Sequence, residues 1–189
     1  MSEYCLEPAP LLNEYEQQFN GAELRELTDI GKISIAIPIQ GQQQVEKALA
    51  ALFGVTMPAV GKSLLSDDQT ARIIRLGNDQ LLVMLFDKQR DPKSFLTAKL
   101  GDTGYLTEQT DSWVALEICG ARSRQALQRI CMTDLHPDVF LINDIARTLM
   151  EHLGVLLIRN GEDSYVLMSA SSSAKSFLHA IVTSIRNVE

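Results

Sequence analysis

The stretch that decides the fold is Leu153-Gly154-Val155-Leu156-Leu157-Ile158-Arg159, then Asn160-Gly161-Glu162-Asp163, then Ser164-Tyr165-Val166-Leu167-Met168-Ser169. Two apolar runs flank four turn-forming residues, which is the pattern of a β-hairpin. Working outward, Ser171-Ser172-Ser173 is placed to cap a last helix, with Ala174, Phe177, Leu178, Ile181 and Ile185 on one face. Upstream, Asp144 to Met150 is a strand. Ala121 to Met132 is a helix with Ala126, Leu127, Ile130 and Cys131 inward, and Trp113 to Cys119 is a strand closed by Gly120.

The first half carries a similar order. Lys32 to Ile39 is β-branched and bounded by Gly31 and Gly41, with Pro38 marking a strand end or an edge. Gln42 to Phe53 sets Val45, Ala48, Leu49 and Leu52 at helical spacing before Gly54. Thr70 to Leu76 and Leu81 to Phe86 form a hairpin about Gly77-Asn78-Asp79. Pro92 opens a helix that runs to Leu100 and ends at Gly101. Each half therefore reads β-α-β-β-α, with Ile33 aligned to Val114, 81 residues on. This pattern predicts an α+β fold of two similar halves, 29–104 and 105–189, packed as one compact unit. Residues 1–28 read as an N-terminal arm, flexible or laid on a partner, in which Asn13 to Phe19 could form a helical turn.

Composition excludes several classes. The 189 residues hold 17 Lys+Arg against 24 Asp+Glu, a net charge of -7. That balance argues against nucleic-acid and anionic-membrane partners. Apolar residues are 46% of the chain, enough for a packed core. Cys5, Cys119 and Cys131 are odd in number and without C-x-x-C spacing, so neither a disulfide framework nor a zinc site is expected. The Met1-to-Cys5 segment lacks signal-peptide character, and Leu81 to Phe86 is far too short to span a bilayer. A cytoplasmic, membrane-free protein is expected.

A search for chemistry yields little. His136, His152 and His179 lack metal-ligand spacing. Gly61-Lys62-Ser63 resembles the end of a phosphate-binding loop, yet six residues separate Gly54 from Gly61 where that loop needs four, and a helix rather than a strand precedes it. Cys119 and Cys131 read as small buried hydrophobes, and the serines between Ser169 and Ser173 as a helix cap. Arg122, Arg124 and Arg129 read as a solvated helix face, and Asp134 and Asp138 as turn capping around His136-Pro137. No catalytic, cofactor-binding or metal-binding residue is assigned.

The run Asp111-Ser112-Trp113-Val114-Ala115-Leu116-Glu117-Ile118-Cys119-Gly120-Ala121-Arg122 carries a family resemblance. Leu127, Cys131, Asp134-Leu135, Phe140, Ala146-Arg147-Thr148, Arg159 and Tyr165 follow in order, then the serine-rich cap and the last helix. This text resembles the gamma subunit of heterotetrameric sarcosine oxidase, well over Asp111 to Ile185 and in architecture alone over Gly31 to Leu100. The resemblance implies a fold related to the folate-binding domain of glycine-cleavage aminomethyltransferases. It implies an accessory, non-catalytic role beside alpha, beta and delta subunits in the oxidative demethylation of sarcosine to glycine. In that family FAD, FMN, NAD and tetrahydrofolate belong to the alpha and beta subunits and zinc to delta, so no cofactor is expected on this chain. The Lys-Gly-Cys motif of related folate proteins is missing, and no folate residue is carried over.

The alternative is a stand-alone module for a folate-like ligand, with Trp113, Tyr165 and Arg147 as the aromatic and cationic candidates. A homodimer of the isolated chain also stays open.

Overall fold

The decisive hairpin is present in the computed structural model, which describes residues 9–86 and 91–189. Strands β10 (Leu153–Gly161) and β11 (Ser164–Ala170) pair antiparallel from Val155 opposite Ser169 to Gly161 opposite Ser164, with an irregularity after Arg159. The other elements, in chain order, are β1 (Glu16–Phe19), β2 (Ala22–Glu26), β3 (Gly31–Ala36), α1 (Gln42–Phe53), β4 (Ser63–Leu65), β5 (Ala71–Arg75), β6 (Gln80–Leu85), α2 (Pro92–Leu100), β7 (Tyr105–Glu108), β8 (Trp113–Cys119), α3 (Ser123–Gln128), β9 (Ile145–Met150) and α4 (Ala174–Arg186).

Two antiparallel sheets result, one ordered β1-β2-β8-β11-β10-β9 and the other β4-β5-β6-β3-β7. They pack face to face through Ile30, Ile74, Leu82 and Met84 against Ala115, Leu156, Ile158, Val166 and Met168. Period-two alternation sends the intervening residues outward onto helices. Leu116, Ile118, Leu157 and Leu167 meet Ala126, Leu127, Phe177, Ile181 and Ile185 of α3 and α4. Ile33, Ile35, Ile73 and Val83 meet Val45, Leu49, Phe53, Leu96 and Leu100 of α1 and α2. Each fully buried Leu or Ile contributes roughly 1.5–3 kcal/mol relative to exposure.

Local signals explain the helices. Val45, Leu49 and Phe53 recur every fourth residue in α1, and Gly54 ends it at φ 73 with its amide on the Ala50 carbonyl. Asp91 caps α2 by accepting from the Lys93 and Ser94 amides, with Pro92 in the first turn.

The duplication is real, but each half is β-α-β-β-β-α rather than β-α-β-β-α: β9, β10 and β11 are three strands after the second half's helix, and β4 (Ser63–Leu65) adds the matching third strand to the first half. The shared order is β4-β5-β6-β3 and β9-β10-β11-β8. Ladder register sets Ile33 opposite Val83 and Leu116 opposite Leu167. Ile33 therefore matches Leu116, two residues beyond Val114, a shift that preserves the face.

The reading of residues 1–28 as an arm does not hold for its described part. Residues 16–26 form the β1-β2 hairpin, and β2 pairs with β8 from Glu23 opposite Cys119 to Glu26 opposite Leu116. Leu24 is fully buried, and that burial anchors the hairpin. Residues 1–8, including Cys5 and Pro8, lie outside the described residues. The boundary at 104 shifts too: β7 pairs with β3 of the first half. Thus β2 precedes the first half yet completes the second sheet, while β7 precedes β8 yet completes the first.

Two helix expectations change. The helix over Ala121 to Met132 shrinks to α3, because residues 130–132 turn to β9: the Glu151 amide donates to the Ile130 carbonyl at 3.0 Å, and Cys131 bridges Met150. Ser171–Ser173 is a 3-10 turn, and no serine side chain caps α4.

Candidate functional site

The sheets meet a second time at their edges. The Ser63 amide donates to the Asn143 carbonyl at 2.8 Å, and the Ile145 amide to the Gly61 carbonyl at 2.9 Å. Gly61 (φ 82) and Asn143 (φ 73) hold equivalent left-handed positions in the two halves. Lys62 forms a salt bridge with Asp144 across this junction. Ser63 Oγ accepts from Arg72 at 2.9 Å. The residues that resemble a phosphate loop are thus occupied in joining the halves.

Arg72 is 2% exposed and, among the described residues, bonds only neutral acceptors: Ser63 Oγ, Asn143 Oδ1 at 3.0 Å and Asn160 Oδ1. Burial lowers its pKa. Asn160 Nδ2 donates to Glu117 at 3.2 Å, and Glu117 also accepts from Arg25 Nε at 2.8 Å. The hydrogen bond to Glu117 holds the Arg25 pKa up. A small cleft of about 360 Å³ beside the junction is lined by Met57, Pro58, Leu64, Ile142 and Asn143, among others.

The larger cleft, about 640 Å³, opens on the sheet-facing side of the six-stranded sheet, at the end where β8 and β10 begin and β11 finishes. Trp113, Arg147, Leu149, Gly154, Leu156 and Ala170 line it, with Met132 at its rim. Trp113 lies opposite Ala170, Gly154 opposite Leu149, and Leu156 opposite Arg147. Trp113 Nε1 donates to Gln109 Oε1 at 3.1 Å, and Arg147 Nη2 donates to Gln80 Oε1 at 3.1 Å.

Of the three ligand candidates, the structure brings Trp113 and Arg147 together and separates Tyr165. Tyr165 is fully buried on the helix side of the sheet, its hydroxyl without a partner among the described residues, and burial raises its pKa. Trp113 and Tyr165 sit at an even separation along different strands, so sequence alone does not reveal that they face opposite ways.

The remaining singled-out residues are placed as follows. Burial, then Glu23 and Glu117, pushes the Cys119 thiol up. Cys131 packs against the helix-side core. Arg122 Nη1 donates to the Val188 and Glu189 carbonyls, so it ties the last residues down instead of standing free on a helix face. Asp134 accepts from the His136 amide at 2.9 Å, a local turn bond. His136, His152 and His179 are exposed. Among the described residues, no group of three His, Cys, Asp or Glu could hold a metal, and no helix is long and apolar enough to cross a membrane.

With this geometry in view, solved structures show the same fold. Aminomethyltransferase T of the glycine cleavage system from Bartonella henselae shares the fold, at TM-score 0.64 and 14% identity over 86% of this chain and 45% of its own. A chain of the heterotetrameric sarcosine oxidase from Corynebacterium sp. U-96 matches at TM-score 0.75 and 26% identity, over 88% of this chain and 84% of its own.

Sequence comparison then narrows the class. The chain is 29% identical over 163 residues to sarcosine oxidase subunit gamma of Corynebacterium sp. (strain P-1), covering 85% of this chain and 78% of the relative. It is 26% identical over 135 residues to that subunit of Corynebacterium sp. (strain U-96), 71% of this chain and 66% of the relative. The Arthrobacter sp. subunit is 30% identical over 122 residues, 64% and 60%. No family model matches. The chain is a distant homologue of sarcosine oxidase gamma subunits and spans about two thirds of the length of the relatives it matches.

Proposed function

We propose that this chain is an accessory, non-catalytic gamma-type subunit of a heterotetrameric sarcosine oxidase. Its task is to stabilise flavin-bearing alpha and beta subunits in a cytoplasmic complex that also contains delta. FAD, FMN, NAD and tetrahydrofolate are assigned to those partners and none to this chain. The observation that carries the reading is the homology to gamma subunits over 85% of the chain.

The surface supports it. Met132, Val139, Leu141, Ile142 and Leu149 are all exposed within one eighteen-residue stretch, and Val60 and Leu65 are exposed near the partnering edge of the other half. A lone soluble domain has no use for such a concentration, whereas a subunit interface does.

The test is recovery of the tagged chain from its native cell extract. Co-purifying large subunits with flavin absorption and sarcosine-dependent activity are expected, with Ile142→Glu reducing their yield. A colourless chain recovered alone or as a homodimer overturns the reading.

A further inference from the structure

The larger cleft has three features that its part in the core does not explain. Gly154 lies inside β10, outside the left-handed region, and a Cβ built on it meets nothing within 4 Å. Glycine inside a strand is destabilising relative to alanine. Neither backbone conformation nor neighbouring packing requires it here. The ladder runs through Gly154 with no bulge, so a close approach of another molecule to the backbone is the remaining reason for a strand glycine here. Ser169 Oγ donates to the Gly154 carbonyl at 3.0 Å and holds this floor in place.

The second feature is Trp113. Its bond to Gln109 fixes the indole at one end of the floor, before any ligand arrives. The third is Arg147. It is exposed and makes no salt bridge with a described residue, in a chain where acids outnumber bases by 24 to 17.

We propose that this cleft binds a planar aromatic carboxylate. Its ring lies over Gly154 and Ala170 with its edge or face on Trp113, and its carboxylate takes the Arg147 guanidinium in a paired hydrogen bond. Size follows from the sheet. Trp113 on β8 and Arg147 on β9 are three strand spacings apart and two residues out of line, about 16 Å. The reach of both side chains reduces that span to one or two fused rings. The cleft volume of about 640 Å³ falls in the range of small-ligand sites. This inference does not rest on the accessory-subunit reading.

Trp113 is the single tryptophan of the chain, so its indole N–H gives one nitrogen-15 resonance that reports on the cleft. The experiment titrates the full labelled chain with 2-naphthoate and, separately, with the neutral 2-naphthamide. A saturable shift of the Trp113 signal is expected with the acid. Affinity should fall about tenfold or more with the amide and in Arg147→Gln, as expected for a hydrogen bond to a charged group. Gly154→Leu, at a position where a Cβ meets nothing within 4 Å, fills the floor and should abolish the shift with no loss of thermal midpoint. Ala170→Leu serves as a second filling variant should the first misfold. No saturable shift in the wild type, equal binding of acid and amide, or undiminished binding in a folded filling variant overturns the proposal.

Discussion

Arg75 and Arg159 occupy the same place in the two halves and make the same bonds. Arg75 ends the β5–β6 ladder and Arg159 is the last β10 residue before its irregularity, and each Nε donates to the glycine carbonyl two residues on, Gly77 at 3.3 Å and Gly161 at 3.2 Å. Each Nη2 donates to the next carbonyl, Asn78 at 3.2 Å and Glu162 at 3.0 Å. Each Nη1 reaches a proline carbonyl in a preceding loop, Pro58 and Pro137, both at 3.3 Å. A guanidinium fork therefore ties the hairpin turn of each half to the loop before its edge strand.

Their burial differs, and that sets their worth. Arg159 is 5% exposed and also donates to Phe140 O at 2.6 Å, whereas Arg75 is only half-buried. Arg159→Met should cost about 3 kcal/mol by leaving buried carbonyls unpaired, and Arg75→Met about 1 kcal/mol. Urea denaturation of both variants checks the ranking. Equal losses would mean that the Arg159 carbonyls find water.

Gly120 pins the N-terminal hairpin. Its φ is +113, and a Cβ there would meet the Gly21 carbonyl oxygen at 2.7 Å. Gly120→Ala is expected to cost about 2–4 kcal/mol from backbone strain and contact together. Hydrogen exchange should accelerate first in residues 16–26. Uniform acceleration over the whole chain would show that the hairpin is not a separable unit.

Tyr165→Phe removes a hydroxyl that has no partner. The expected effect lies between no change and a gain of about 1 kcal/mol, since no hydrogen bond is lost. Calorimetric midpoints decide. A loss above 1 kcal/mol would reveal a bound water beside the ring.

Lys32 is 4% exposed, and its Nζ donates to the Ile30 and Thr110 carbonyls, both at 3.3 Å. Burial lowers its pKa below the ordinary lysine value of 10.5, against the opposing pull of Asp111, Glu26 and Glu108. Below the folded value both states hold the proton, and the burial penalty is carried in full. Between the folded value and 10.5 the unfolded chain binds more protons, so this residue makes stability rise with pH. The stability of wild type relative to Lys32→Met should therefore climb across that alkaline window. A flat difference would place the ammonium in water.

Local chemistry was what the sequence made legible. Asn160-Gly161, Gly54 and Pro92 each mark an element through its own backbone needs, and all three elements are where those residues put them. The β1-β2 hairpin escaped because Glu16-Gln17-Gln18-Phe19 is a polar edge strand without an apolar run. Its turn, Asn20-Gly21, is the same signal as Asn160-Gly161 and could have exposed it. β4 and β7, at three and four residues, are too short to show a period. The larger cleft was half legible: Trp113 and Arg147 were named for their chemistry. What brings them onto one face is the register of the four strands β8, β11, β10 and β9, and the bare floor at Gly154 has no chemical signature.

The crossing of β2 and β7 between the sheets governs how the chain can be made. Arg25 meets Glu117, a residue 92 positions later. During synthesis the first hairpin therefore emerges with Leu24 uncovered and has no strand to join until almost half of the chain has followed. Closing so long a loop before any reward is slow, and the exposed edge is sticky in the interval. The two halves are links of a closed chain: a cut at residue 104 frees neither, and fragments 1–104 and 105–189 should regain order only when mixed.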